Sequence, residues 1–218
     1  MITKFFAQFQ FTPAALALIG MNLIPLVGVF WFGWDAGTIV FLYWLENVII
    51  GLLNIPKILS CRGDPAGRPN SRESLGGLIF LAGFFSLHYG LFCFGHYMFL
   101  SSTYETLPDW GNIIPALSGS VLIWSLLGLA FSHGISMFVN FYGKGEYKTR
   151  TPNKQMFMPY TRILILHVVI VFSSLLAVAL GEGLATLVML IAVKIGFDLA
   201  AHLVEHSEKE SFIAPSVN

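Results

Sequence analysis

Four residues near the carboxyl end of the chain recur at a spacing that chemistry can use. Lys194, Asp198, His202 and His206 follow one another every four residues through an otherwise apolar segment, so on a helix they form one slowly drifting stripe. In hydrocarbon such a stripe must face a bundle interior or a water-filled cavity. One chemistry it offers is charge balance, with Lys194 and Asp198 neutralising each other one turn apart while His202 and His206 reach the head groups. The other is metal ligation. Neutral imidazoles beside a carboxylate are the N and O donors that zinc and iron take, and helix bundles build such sites from facing side chains. His133 and His167, on two earlier apolar segments, share with Asp198 an expected depth of roughly 10 Å from the cation-rich side. His133, His167, Asp198 and His202 are therefore the candidate metal ligands, with Zn or Fe as the candidate ion. Haem between His133 and His167 is a weaker option, since no attachment motif accompanies it. His202 to His206 also spells H-x-x-E-H, a zinc-protease spacing, although Glu205 and His206 fall where the helix should already meet water.

A second group lies deeper. Counted along the helices, Glu46, His88 and Lys194 sit roughly 16 to 20 Å in. A carboxylate in mid-membrane is either protonated or paired with a cation, and Lys194 is the intramembrane cation that the pattern offers, with Asp198 competing for it. Glu46, His88 and Lys194 are thus the candidates for moving protons or acting in catalysis. His96, about 12 Å along the helix from His88, is too far away to share a metal with it and is expected at the interface. Trp44, Asn47, Gly51 and Asn54 fall on one helical face, and the two asparagines read as interhelical hydrogen-bond glue worth about 0.6 kcal/mol each.

The elements that must position these groups follow from composition. The 218 residues are 56% hydrophobic and 11% charged, with a mean hydropathy of +0.73, against about 25% charged residues in a soluble domain. Six apolar stretches, at about 13–33, 37–59, 75–100, 113–140, 160–181 and 184–205, are each long enough to cross about 30 Å of hydrocarbon as a helix. The expected fold class is all-α: an integral membrane bundle of six transmembrane helices, one domain over 1–218. Lys57, Arg62, Arg68, Arg72, Lys144, Lys148, Arg150, Lys154 and Arg162 fall in two loops, and Lys4 and Lys209 at the ends. The other side carries Asp35, Glu105, Asp109 and Glu182, which places both termini in the cytoplasm and the protein in the cell's inner (cytoplasmic) membrane. The first span continues through Asn22-Leu23-Ile24-Pro25 without a small-x-small cleavage site, so it is expected to stay in the mature protein.

The partners that follow are membrane lipid and, as an open alternative, further copies of the chain in a homo-oligomer. Nucleic acid is excluded, because the formal charge is zero and no basic run interleaves with aromatics. Cys61 and Cys93 lie at different expected depths and form neither a disulfide nor a cysteine zinc site.

Tyr43-Trp44-Leu45-Glu46-Asn47 with Gly51 and Asn54, His88-Tyr89-Gly90 through Gly95-His96, Ser132-His133-Gly134, Tyr160 with Arg162 and His167, and Lys194 with Asp198 and His202 together resemble a bacterial multi-pass membrane family known only as a domain of unknown function. The resemblance covers five of the six expected helices and implies no activity. Three functions stay open: an intramembrane metal-binding protein acting on a lipidic or membrane-soluble substrate; a proton-coupled carrier or channel-like subunit using Glu46, Lys194 and Asp198; and a structural or assembly subunit.

Overall fold

The computed structural model describes residues 27–64, 73–118, 120, 122–181, 188–193, 195 and 196, and the regular structure among them is entirely helical. The chain divides into two compact units, residues 37–174 and residues 1–36 with 175–218. Most of the expected first and sixth spans lies outside the described residues. Of the first, 27–32 is helical, and Trp34 folds back on it so closely that a Cβ on Gly28 would stand 2.0 Å from the indole. Of the sixth, 188–193 is helical.

The helices from residue 36 onward are α1 (Ala36–Ser60), α2 (Leu75–Thr103), α3 (Ile113–Ser118), α4 (Leu122–Ser136, continuing as a π-helix over Met137–Gly143), α5 (Pro152–Phe157) and α6 (Tyr160–Leu180). Among the described residues, four stretches are long and apolar enough to cross a membrane: Ala36–Ser60, Leu75–Thr103, Leu122–Gly143 and Pro152–Leu176.

Side-chain contacts fix how these helices run. Trp44 Nε1 donates to the Cys93 carbonyl at 2.8 Å and Tyr89 Oη to the Asn47 carbonyl at 3.1 Å, so α1 and α2 are antiparallel. His88 meets Tyr160, His96 meets His167 and Tyr104 meets Ser173, so α6 runs parallel to α2. Glu46 meets His133 and Ser60 meets Tyr142, so α4 runs parallel to α1. Successive long helices therefore alternate in direction.

α1 is the hub, with Ile39 to Leu45 all buried. α2 and α4 turn large apolar side chains outward: Phe80, Leu87, Trp124 and Phe131 are each about 70% exposed. In water such surfaces aggregate, whereas in a bilayer they are the faces that lipid covers.

Two expected boundaries move. The fourth span, expected as one helix over 113–140, is interrupted: α3 stops at Ser118, and the Ser120 hydroxyl accepts from the Leu122 N–H at 3.0 Å to open α4. The fifth span begins before residue 160. Thr151 Oγ1 caps α5 by accepting from the Lys154 N–H at 3.2 Å, and Pro152 takes the first helical position, where its missing N–H costs nothing. The break at Met158-Pro159 is brief, because the Arg162 and Ile163 N–H groups both reach the Pro159 carbonyl. Arg162 therefore stands ten residues, about 15 Å, into the column and not among the loop cations with which its sequence neighbourhood groups it.

The loops after α1 and α4 close on each other at the cation-rich end. The Arg62 N–H donates to the Tyr147 carbonyl at 2.7 Å and the Gly63 N–H to the Arg150 carbonyl at 3.1 Å. A Cβ on Gly63 would lie 2.0 Å from the Thr149 carbonyl oxygen, so only glycine permits this approach.

Candidate functional site

Three of the polar clusters among the described helices of residues 37–174 hold candidate site residues or buried amides. The first is charged. Glu46 Oε1 accepts from His133 Nε2 at 3.2 Å, and Arg162 Nη1 stands 3.7 Å from the same oxygen. Glu46 is largely buried, while Arg162 is about half exposed. The guanidinium balances the carboxylate, which is the condition for keeping either inside a bilayer. Sequence counting pairs Glu46 with Lys194, which lies outside the described residues; among the described residues Arg162 faces it, because the fifth column starts earlier than its hydropathy suggests.

The second cluster is neutral at its centre and closed. Gln155 Nε2 donates to Asn54 Oδ1 at 2.6 Å, Asn54 Nδ2 to the Gln155 carbonyl at 3.2 Å, and Arg150 Nη1 to Gln155 Oε1 at 3.2 Å. Asn54 and Gln155 are both buried. This knot fastens the end of α1 to α5.

The third cluster lines a cavity of about 720 Å³ between α2 and α6, open on one side. Its walls are Leu91, Phe92 and Phe99 on α2, and Ile163, Leu164 and Ile170 on α6. Two polar pairs bridge it. His88 Nδ1 is 2.7 Å from the Tyr160 hydroxyl, and His96 Nε2 is 3.1 Å from His167 Nδ1. His96 is 9% exposed, and its Nδ1 has no hydrogen-bond partner among the described residues. His88 is held edge-on to Phe92 and stacked on Phe84. Gly95 opens the floor between the pairs, since a Cβ there would meet nothing within 4 Å.

Parallel packing explains why the pairs form. His88 and His96 are eight residues apart on α2, and Tyr160 and His167 are seven apart on α6, so each couple lies on one face and the two couples meet in register. That spacing is visible in the sequence; the partnership is not, because it depends on which helices become neighbours.

Residues 5–212 match the family DUF6498. The chain belongs to this family of unknown function. No curated protein and no solved structure matches the chain.

Within this member of DUF6498, the expected site residues separate as follows. Glu46 and His133 join in the charged cluster, and His88 and His167 line the cavity. His133 and His167, expected at one metal, have different partners. Lys194, Asp198 and His202 lie outside the described residues. Among the described residues, no three His, Cys, Asp or Glu side chains are grouped to hold a metal ion. His96, expected at the interface, is buried against His167. In the sequence reading Tyr160 carries no role and Arg162 only that of a loop cation, although each stands against a candidate site residue, His88 and Glu46 respectively.

Proposed function

We propose that the protein is a multi-pass protein of the inner membrane, with six spans and both termini cytoplasmic, that binds a lipidic or membrane-soluble ligand in the groove between α2 and α6. The observation that carries this reading is the cavity itself: about 720 Å³ of apolar space, bridged by two polar pairs, in a helix face that lipid would cover. That volume is typical of small-molecule sites, as is an apolar wall with a few convergent polar groups. The alternating helices and the gathering of Lys57, Arg62, Lys144, Lys148, Arg150 and Lys154 at one end support the orientation. His88, bonded to a tyrosine hydroxyl at the groove wall, is the group positioned to give or take a proton from a bound molecule.

The test is extraction of the purified protein followed by mass spectrometry of what it carries. Wild type should retain one lipidic species in stoichiometric amount. Gly95→Phe should lose it, because a Cβ there meets no atom within 4 Å and the ring beyond it would take up groove space. Full retention by Gly95→Phe would refute the reading. Stoichiometric zinc or iron that disappears in His202→Ala would instead favour the metal site of His133, His167, Asp198 and His202.

A second reading has its own observation. Glu46, bonded to an imidazole and facing a guanidinium, is the centre from which a proton-coupled carrier or channel-like subunit would work, with Lys194 and Asp198 as further members of the relay.

A further inference from the structure

We infer that the groove recognises a neutral, membrane-soluble compound through a carbonyl oxygen that accepts from His167, with the His88–Tyr160 pair as a second, separate donor station for another acceptor of the same molecule. This rests on the ligand-binding reading above and names the chemistry of its ligand.

The inference begins with proton placement. In the His96–His167 pair, one imidazole must donate across the 3.1 Å contact and the other accept. If His167 donated from Nδ1, the proton of neutral His96 would sit on Nδ1, which is buried and has no partner among the described residues. A buried orphaned N–H is rarer and costlier than an under-used acceptor. His96 therefore donates from Nε2, and its Nδ1 is the bare acceptor. His167 Nδ1 accepts, so neutral His167 carries its own proton on Nε2, and this residue is exposed in the groove wall.

The His88–Tyr160 pair obeys the same count. Two protons are present and one is used in the 2.7 Å contact. Whichever partner donates, one N–H or O–H is left over at the wall. The groove thus has two donor stations about 10 Å apart along α6. No Asp, Glu, Lys or Arg is among the described residues that line it.

Neutral donors in a low-dielectric slot select a neutral acceptor. A carboxylate or phosphate would enter without a cation to balance it, and burying an unpaired charge is expensive. A carbonyl oxygen accepts at full strength without that penalty. Phe92 and Phe99, both in the wall, suit a flat ring or a tail. Two kinds of membrane molecule carry this chemistry, a quinone head group and the ester of an uncharged glyceride.

The experiment uses the full chain, purified and stripped of lipid, with three probes: decylubiquinone, dioctanoylglycerol and decanoate. Binding is measured by equilibrium dialysis, and hydrogen bonding by the infrared stretch of a 13C-labelled carbonyl. One of the two neutral carbonyl probes should bind with its stretch shifted to lower frequency, and which one binds more tightly identifies the source. Decanoate should bind at least about tenfold more weakly. His167→Phe should weaken the carbonyl probe about tenfold, the loss of one buried hydrogen bond, and return the stretch to its unbound position. His167→Gln, whose amide can both accept from His96 and donate to the ligand, should restore both. If Gly95→Phe blocks binding but His167→Phe leaves affinity and stretch unchanged, the groove stands and the carbonyl inference falls. Decanoate binding as tightly as the neutral probes overturns it too. If no probe binds at all, the groove reading itself fails, as it would were the groove filled by another part of the chain.

Discussion

The Asn54–Gln155 knot and the His96–His167 pair are both polar contacts between helices, the first buried and the second half-buried, and they end differently. In the knot, the Asn54 and Gln155 amide oxygens each accept a bond, and each amide nitrogen donates one. In the histidine pair, a ring nitrogen is left over beside a cavity. The glycines repeat the contrast. A Cβ on Gly51 would stand 2.6 Å from the Tyr89 ring, whereas one on Gly95 would meet nothing. A closed network with a pressed glycine is what packing alone produces. An open one with an empty glycine leaves room beside it that the described helices do not fill. Buried polarity therefore marks a site only where its hydrogen bonds do not close among themselves.

The largest effect expected from the closed side is chemical. Cys61 lies under the paired loops with Met137 and Phe141, and burial pushes its thiol up to about 12, with Arg150 opposing weakly. At pH 8 the thiolate population should be smaller than that of an ordinary cysteine by about a thousandfold. Maleimide labelling of the folded protein should be slower in proportion and should accelerate on unfolding. Ordinary labelling rates in the folded state would mean that the loops do not seal this end. The same shift makes the thiol's contribution to stability constant below the usual cysteine range. It is lost as pH rises from about 9 towards about 12, where the unfolded chain ionises first.

Next comes the knot. Asn54→Leu should cost about 1–2 kcal/mol, since Gln155 loses both a donor and an acceptor contact in a setting where single bonds average about 0.6 kcal/mol. Asn54→Leu with Gln155→Leu should recover most of the loss in thermal unfolding, because removing both partners leaves little unsatisfied. If the double variant stays as unstable as the single, Arg150 depends on Gln155 more than its 3.1 Å contact with Glu146 implies.

How much of this was legible in the sequence follows from the physics of each feature. Apolar length marks a span without any knowledge of partners, so α1 and α2 fall close to their expected limits. The face of Trp44, Asn47, Gly51 and Asn54 could be read as well, since 3.6-residue periodicity is local. The start of the fifth column is not legible in hydropathy, which rises at Tyr160, whereas Thr151 and Pro152 start the helix earlier through a cap that adds no hydrophobicity. That eight-residue difference groups Arg162 with the loop cations, whereas the structure sets it in the column, 3.7 Å from Glu46. Depth, too, is not partnership. His133 and His167 share an expected depth, yet His133 meets Glu46 and His167 meets His96, and only packing decides that His96 meets His167.

The smallest expected effect tests whether the open side is open. Gly95 is in mid-helix with space around it, so Gly95→Ala meets no clash and gains from the lower entropy of the unfolded chain. In water that gain is about 0.4–1 kcal/mol, and within a lipid-facing helix the lower end of that range is expected. The melting temperature should therefore hold or rise slightly. Wild-type ligand should remain, because one methyl group takes little from a cavity of about 720 Å³. A fall in stability would carry more information than the expected rise. It would mean that a side chain or lipid presses on Gly95 as Tyr89 presses on Gly51, and the two polar contacts would then both be closed.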